Sequence, residues 1–348
     1  MRGMSKVILL AVASAVMALP SAAAIALPSP AVGAVDAPKS APRSDQPRGS
    51  CGQQYASGQQ TVTLTSGGLQ RVLALYVPST YDGHHRLPLV LTLHGSQSDA
   101  VEQLVRSEMP SNAERYGFVV ASPQGYLPAS PGFRWNVPGV TLPPGQPPDD
   151  EQFLSDAIDY LEANLCVDAR RVYGTGYSGG GRMISQYACD HADRLAAIAP
   201  VAGLRAGYPT TGPGGPVPDP ATCTPTRPVP VIAFAGTADP VNPYPGGGAP
   251  YWQYGVPQAL ARWAEINGCR RGPVTTSVTA HVDRISYSAC RRGASVLLYR
   301  VAGGGHTWPG SEAFIPLQSA LGPVTFEIDA TNLMWRFFRH HVLARSQH

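Results

Sequence analysis

Apolar and polar positions along the chain fall into short runs separated by turns rich in Gly and Pro. Residues 61–65 and 71–77 predict a leading antiparallel pair of strands. Residues 87–93 form an almost unbroken apolar run, the pattern of a strand covered on both faces. Strand-like and helix-like stretches then alternate. Residues 117–121 predict a strand, 151–165 a helix, 171–176 a strand and 179–189 a helix. Residues 195–201, 229–235 and 296–301 predict further strands, Cys269 and Cys290 flank another pair, and 329–343 predict a closing helix. Such alternation implies a mainly parallel central sheet flanked by helices. No internal repeat is visible.

Three stretches crowded with Gly and Pro interrupt the pattern, at 126–148, 205–230 and 240–257. Loops at the carboxyl ends of strands build the ligand crevice in open α/β sheets. These loops carry Tyr126, Phe133, Trp135, Tyr244, Tyr251, Trp252 and Tyr254, so an aromatic-lined cleft is expected, although each ring taken alone is a candidate for loop packing.

The N-terminus changes the picture of where the chain works. Arg2 and Lys6 precede an apolar run from Val7 to Leu19 and small residues at 21–24, which predicts a secretory signal over 1–26. The run is short for a membrane anchor. Residues 27–50, rich in Pro, Ala and Ser, predict a disordered leader, and 51–348 a single catalytic domain. Removing the signal takes the net charge from +3 to +1, so neither nucleic acid nor an anionic membrane is expected as a partner.

All six cysteines, 51, 166, 189, 223, 269 and 290, follow the signal; an even count in an exported chain predicts disulfides. Six cysteines allow 15 connectivities. Cys166 ends one helix and Cys189 the next, which places both at the same end of the sheet and favours their pairing. Cys269 with Cys290 then leaves Cys51 with Cys223. The absence of a CxxC pair, and of histidines at ligand spacing from cysteine, predicts no metal.

Gly176-Tyr177-Ser178-Gly179-Gly180 joins a predicted strand to a predicted helix. That is the nucleophile elbow of α/β-hydrolases, in which flanking glycines permit a turn too sharp for a Cβ. A serine hydroxyl needs a base oriented by a carboxylate, in the chain order Ser, Asp or Glu, His. Asp239 follows the strand 229–235 and His306 follows 296–301, each fitting its place better than Asp219, Asp283, His191, His281, His340, His341 or His348. Oxyanion donors are expected at Gly179 N–H and, in the loop after 87–93, at Ser96 N–H; His94 is expected to position that loop.

With these residues in place, the chain from about Cys51 resembles the secreted esterases that include feruloyl esterases and polyhydroxybutyrate depolymerases, the relatives of carbohydrate esterase family 1. The resemblance rests on His94-Gly95, Trp135-Asn136, Asp149-Asp150 with Phe153, Cys166-Val167-Asp168, the elbow, residues 197–203, Gly236-Thr237-Ala238-Asp239 with Pro243-Tyr244, and residues 304–310. It implies an α/β-hydrolase fold, Ser178, Asp239 and His306 as a triad, and Trp308 at the cleft wall, with Trp135 and Tyr244 as further substrate contacts. Many relatives carry Asn or Ala where Gly179 begins a run of three glycines. Glycine costs about 1 kcal/mol of helix stability relative to Ala, which predicts a looser elbow.

The expected activity is that of a secreted, extracellular serine carboxylic-ester hydrolase acting through an acyl-enzyme, without cofactor and as a monomer. Feruloyl esters of plant polysaccharide lead the substrate expectations, with hydroxybutyrate oligomers and acetylated xylan as alternatives. A peptidase or a non-catalytic binding protein on the same fold are the competing classes.

Overall fold

The computed structural model describes residues 51–143 and 145–344, together with the backbone of Val35–Asp36. The expected signal, 1–26, and the rest of the leader lie outside the described residues. Within that leader, Val35–Asp36 pairs in parallel with residues 62–63. The open backbone groups of an edge strand accept such an addition.

One twisted sheet organises the chain. Its principal strands are β1 (Gly58–Ser66), β2 (Leu69–Val77), β3 (Leu87–Leu93), β4 (Val119–Pro123), β5 (Val167–Tyr177), β6 (Ala197–Val201), β7 (Val231–Gly236), β8 (Arg271–Ser277), β9 (Val282–Ser288) and β10 (Val296–Val301). Their spatial order from the Val35–Asp36 edge is β1-β2-β4-β3-β5-β6-β7-β10-β9-β8. The central six, β4-β3-β5-β6-β7-β10, are all parallel. Antiparallel strands extend both flanks. Buried strands explain the unbroken apolar runs: every residue of β4, β6 and β7 is buried, and all but the first of β3.

The helices of eight or more residues are α1 (Ala100–Ser107), α2 (Met109–Tyr116), α3 (Asp150–Asn164), α4 (Gly179–Asp190), α5 (Val256–Ile266) and α6 (Ala330–Phe338). They cover two hydrophobic layers. One includes Phe153, Leu161, Ile184, Tyr187 and Trp263; the other includes Leu104, Phe118, Met334, Trp335 and Phe338. Three helices depart from the pattern read along the chain. α1 and α2 were not expected, and both are short and polar. Glu108, in the left-handed region at φ 52°, separates them. α5 starts inside the 240–257 stretch because Pro257 occupies its first turn, where a missing N–H costs nothing.

The three disulfides are Cys51–Cys166, Cys189–Cys223 and Cys269–Cys290. The last is as expected; Cys166–Cys189 and Cys51–Cys223 are corrected. Residues 51–53 are held at the 80–83 turn, where Gly52 N–H donates to the Gly83 carbonyl and Tyr81 Oη to that of Gln53. Tyr81 Oη also accepts from Cys166 N–H, which brings Cys51 to the start of β5. Cys223 is drawn to the end of α4 by the loop that crosses it, where Gln186 Nε2 donates to the Thr222 carbonyl. Among the described residues, no helix is long and apolar enough to cross a membrane.

Candidate active site

The elbow is built by close approach. Ser178 sits between β5 and α4 at φ 51°, ψ −112°, a strained combination for a residue with a side chain. A Cβ on Gly176 would lie 2.4 Å from the Gly180 backbone, and one on Gly180 would lie 2.2 Å from the Leu93 carbonyl oxygen. The glycine run therefore lets α4 press onto β3 and β5; it serves contact, where its composition alone had suggested looseness.

His306 and Asp239 are brought together at the carboxyl ends of β10 and β7. Nδ1 of His306 lies 2.7 Å from Oδ2 of Asp239, and both side chains are 3 % exposed. The other carboxylate oxygen accepts the N–H groups of Val241 and Asn242 at 2.8 and 2.7 Å. The carboxylate is thus fixed from both sides, and the imidazole is oriented by it.

Tyr177 links His306 to the elbow and was not anticipated. Its hydroxyl donates to the His306 carbonyl at 2.5 Å, and the two rings lie 5.0 Å apart. Burial pushes its phenol well above the ordinary range, so it stays a neutral donor. The same ring limits the neighbouring loop, since a Cβ on Gly95 would fall 2.7 Å from Tyr177 Cδ1 and 3.5 Å from Ser178 Cβ. Ser96 and Gly179 adjoin as well. The point where a Cβ of Gly179 would stand is 2.6 Å from Ser96 Oγ and 3.2 Å from Ser96 N.

No family model matches the chain. It is 31 % identical over 243 residues to feruloyl esterase B of Piromyces equi, covering 68 % of this chain and 42 % of that protein. It is 25 % identical over 251 residues to feruloyl esterase D of Neurospora crassa, covering 71 % and 77 % of the two chains. The solved acetyl xylan esterase from Aspergillus awamori superposes with a TM-score of 0.52 at 17 % identity, covering 72 % of this chain and 94 % of that one. The chain has the α/β-hydrolase fold. It spans less than half of the length of the Piromyces equi relative.

Behind this candidate site, a buried network fixes the loop that carries Ser96. His94 Nε2 accepts from Gly125 N–H at 2.9 Å while Nδ1 lies 2.7 Å from the Gly95 carbonyl, so the proton belongs on Nδ1. Burial lowers its pKa to about 4, and the ring is neutral at physiological pH. His94 therefore positions its loop, as expected. Trp135 Nε1 donates to the His94 carbonyl, and the two rings lie 5.1 Å apart. Next to Trp135, Asn136 N–H donates to Asp150, whose other oxygen meets Arg71 in an ion pair that is almost wholly buried. These bonds account for the Trp135-Asn136 and Asp149-Asp150 motifs as fasteners of the 126–148 loop. A cavity of about 480 Å³ borders this fastening at Ser66, Arg71, Asn136 and Asp150; Ser178, Asp239 and His306 do not line it.

Two aromatic expectations are corrected. Trp135 and Trp308 are each 1 % exposed, which leaves no face for substrate. Each indole N–H is used internally, Trp308 donating to Thr331 Oγ1 at 2.9 Å, because a buried indole needs a polar partner. Tyr244 is half-buried, with its phenol beside Arg300. Trp252 and Tyr254 are likewise buried, and Tyr251 is the half-buried ring of its loop. It stacks on Arg182, a residue that the sequence reading passed over. The available signal was a lone arginine directly after the three glycines of the elbow.

Proposed function

We propose that the protein is a secreted serine carboxylic-ester hydrolase that works by acyl transfer, with feruloyl or related esters of plant polysaccharide as its substrate class. The observation that carries the reading is the buried His306–Asp239 pair, 2.7 Å apart, on the loops that follow β10 and β7, at the same carboxyl edge of the parallel sheet as the elbow of Ser178 after β5. In this reading Ser178 Oγ attacks the ester carbonyl and His306 takes its proton. Asp239 holds the tautomer with Nδ1 protonated and stabilises the imidazolium. The Gly179 and Ser96 amides receive the oxyanion. His306 then protonates the leaving alcohol, and later activates the water that releases the acid. The three disulfides fit an oxidising, extracellular setting.

The substrate class is supported by the likeness to two proteins named feruloyl esterases. The test is a panel of methyl ferulate, acetylated xylan, hydroxybutyrate oligomers and a peptide anilide, each run with the wild type and with Ser178→Ala. Methyl ferulate is expected to give the highest kcat/KM. The variant is expected to lose on the order of 10⁶ in kcat, the scale seen when a triad nucleophile is removed. Turnover retained in Ser178→Ala refutes the nucleophile; hydrolysis of the anilide alone refutes the esterase.

A further inference from the structure

Gly179 through Cys189 are all buried in α4, and one of these eleven residues carries a full charge. Arg182 is 7 % exposed, and its Nε and Nη1 have no hydrogen-bond partner among the described residues. Its guanidinium carbon lies 4.0 Å from the centroid of the Tyr251 ring. Burial lowers its pKa, Tyr251 opposes that shift, and no acidic residue contributes to it. A second buried guanidinium adds to the imbalance. Arg205 is 3 % exposed, its Nη2 is also without a partner, and burial together with the charge of Arg182 brings its pKa down to about 10. Two buried cations without an anion are costly, and folded proteins rarely keep them without a use.

The position of the charge indicates the use. Nη2 of Arg182 lies 3.4 Å from the point that a Cβ of Gly179 would occupy, and Ser96 N lies 3.2 Å from that same point. The guanidinium and the Ser96 amide therefore converge on one point beside Gly179, the residue whose own amide is the other donor assigned to the oxyanion. We propose that Arg182 is the fixed counter-charge of the tetrahedral intermediate, a cation whose anion exists only while the reaction is under way. The inference rests on the assignment of Ser178, Gly179 and Ser96 above.

As the bond from Ser178 Oγ to the carbonyl carbon forms, the carbonyl π pair moves onto oxygen and the serine proton passes to His306. Collapse returns that pair to the carbon–oxygen bond and expels the alcohol, which takes the proton. The ester oxygen begins neutral and becomes fully negative, so a nearby fixed cation binds the intermediate more strongly than the substrate. A carboxylate on the substrate itself is the poorer partner. Nε and Nη1 are sealed from solvent and the Tyr251 ring lies over the group, whereas an oxyanion acts through space.

The experiment compares Arg182→Met, which removes the charge and keeps most of the length, with Arg182→Lys, which keeps the charge. Unit charges about 6–8 Å apart at an effective dielectric of about 20 correspond to a factor of about 30–100. On p-nitrophenyl acetate, Arg182→Met is expected to lose that factor in kcat with KM nearly unchanged, and Arg182→Lys to recover most of it. A boronic acid that forms an anionic tetrahedral adduct on Ser178 should weaken by the same factor, while a neutral amide analogue of the substrate should not. The Tm of Arg182→Met should hold or rise, because replacing an unpaired buried charge by an apolar group removes its desolvation cost. A kcat within about threefold of wild type overturns the proposal. So does a lowered Tm with parallel loss of both inhibitors, the mark of a structural role, or a loss confined to esters that bear a carboxylate. Ser178→Ala separates the two levels, since activity surviving there removes the site itself.

Discussion

Asp239→Asn tests the orientation of the base, and the structure dictates how the new amide must sit. The carboxylate oxygen that faces away from His306 accepts two N–H groups, from Val241 at 2.8 Å and Asn242 at 2.7 Å. An asparagine can keep only its carbonyl oxygen there, because the reverse orientation sets its NH₂ against two donors. The NH₂ group then faces His306 Nδ1, 2.7 Å from the replaced oxygen, and obliges that nitrogen to accept. The imidazole proton is forced onto Nε2, the atom that has to take the proton of Ser178. Wrong-tautomer substitutions of this kind cost about 10⁴ in kcat in serine proteases, equivalent to about 5 kcal/mol of barrier. Packing is nearly unchanged, so the Tm should stay within a few degrees of wild type. Asp239→Ala is the control, since it leaves the Val241 and Asn242 amides unpaired at about 1–3 kcal/mol each and should lower the Tm. Initial rates on p-nitrophenyl acetate, normalised by active-site titration, measure the loss. A folded Asp239→Asn enzyme within tenfold of wild-type kcat would refute the reasoning.

Tyr177→Phe removes the donor to the His306 carbonyl and leaves a buried acceptor unpaired; a loss of about 1–3 kcal/mol in urea denaturation is expected, with a fall in kcat, and unchanged kcat would show that the contact does not position the base. Gly180→Ala would drive a Cβ to 2.2 Å from the Leu93 carbonyl and should cost more than about 3 kcal/mol, whereas Gly179→Ala meets first the movable Ser96 hydroxyl and should fold but turn over slowly; equal Tm values for the two variants would contradict this. His94, held near pKa 4 when folded against about 6.5 unfolded, favours the native state fully above about pH 6.5. That contribution, about 3 kcal/mol, is lost as pH falls through 4, because the unfolded chain then binds the extra proton. His94→Gln should flatten the stability profile between pH 7 and 4 relative to wild type, and an identical slope in both proteins would refute the assignment.

The chain order of chemistry was legible because parallel strands buried on both faces must be continuously apolar, and functional loops follow them. β3, β7 and β10 could be read within a residue or two, and Asp239 and His306, chosen from what followed two of these strands, lie in contact. Polar and short elements were not. α1 offers only two turns, Ala100–Ser107, too short for a period to declare itself, and α2 begins from a left-handed Glu108 that no local pattern announces. The tryptophans expose a different limit. Their place in motifs at strand ends was visible, but the partners that bury them, the His94 carbonyl and Thr331 Oγ1, are 41 and 23 residues away. Disulfide pairing failed for the same reason, since Cys51 is positioned by the 80–83 turn and Cys223 by a loop crossing α4.

The glycine run connects these observations to the chemistry. A helix with ordinary side chains at 180 and 181 would stand off from β3 and from Gly203, and its first amide would move with it. Contact at that distance brings Gly179 against Ser96, and it leaves the next turn so enclosed that Nε and Nη1 of Arg182 are buried without a partner. The helix thus gives up intrinsic propensity at three positions and retains an unpaired charge at a fourth. Both are unfavourable for folding, and both act at the point where the proposed reaction develops negative charge. A helix selected for stability alone would carry Ala and Met at these positions, so the expected cost of restoring them is activity.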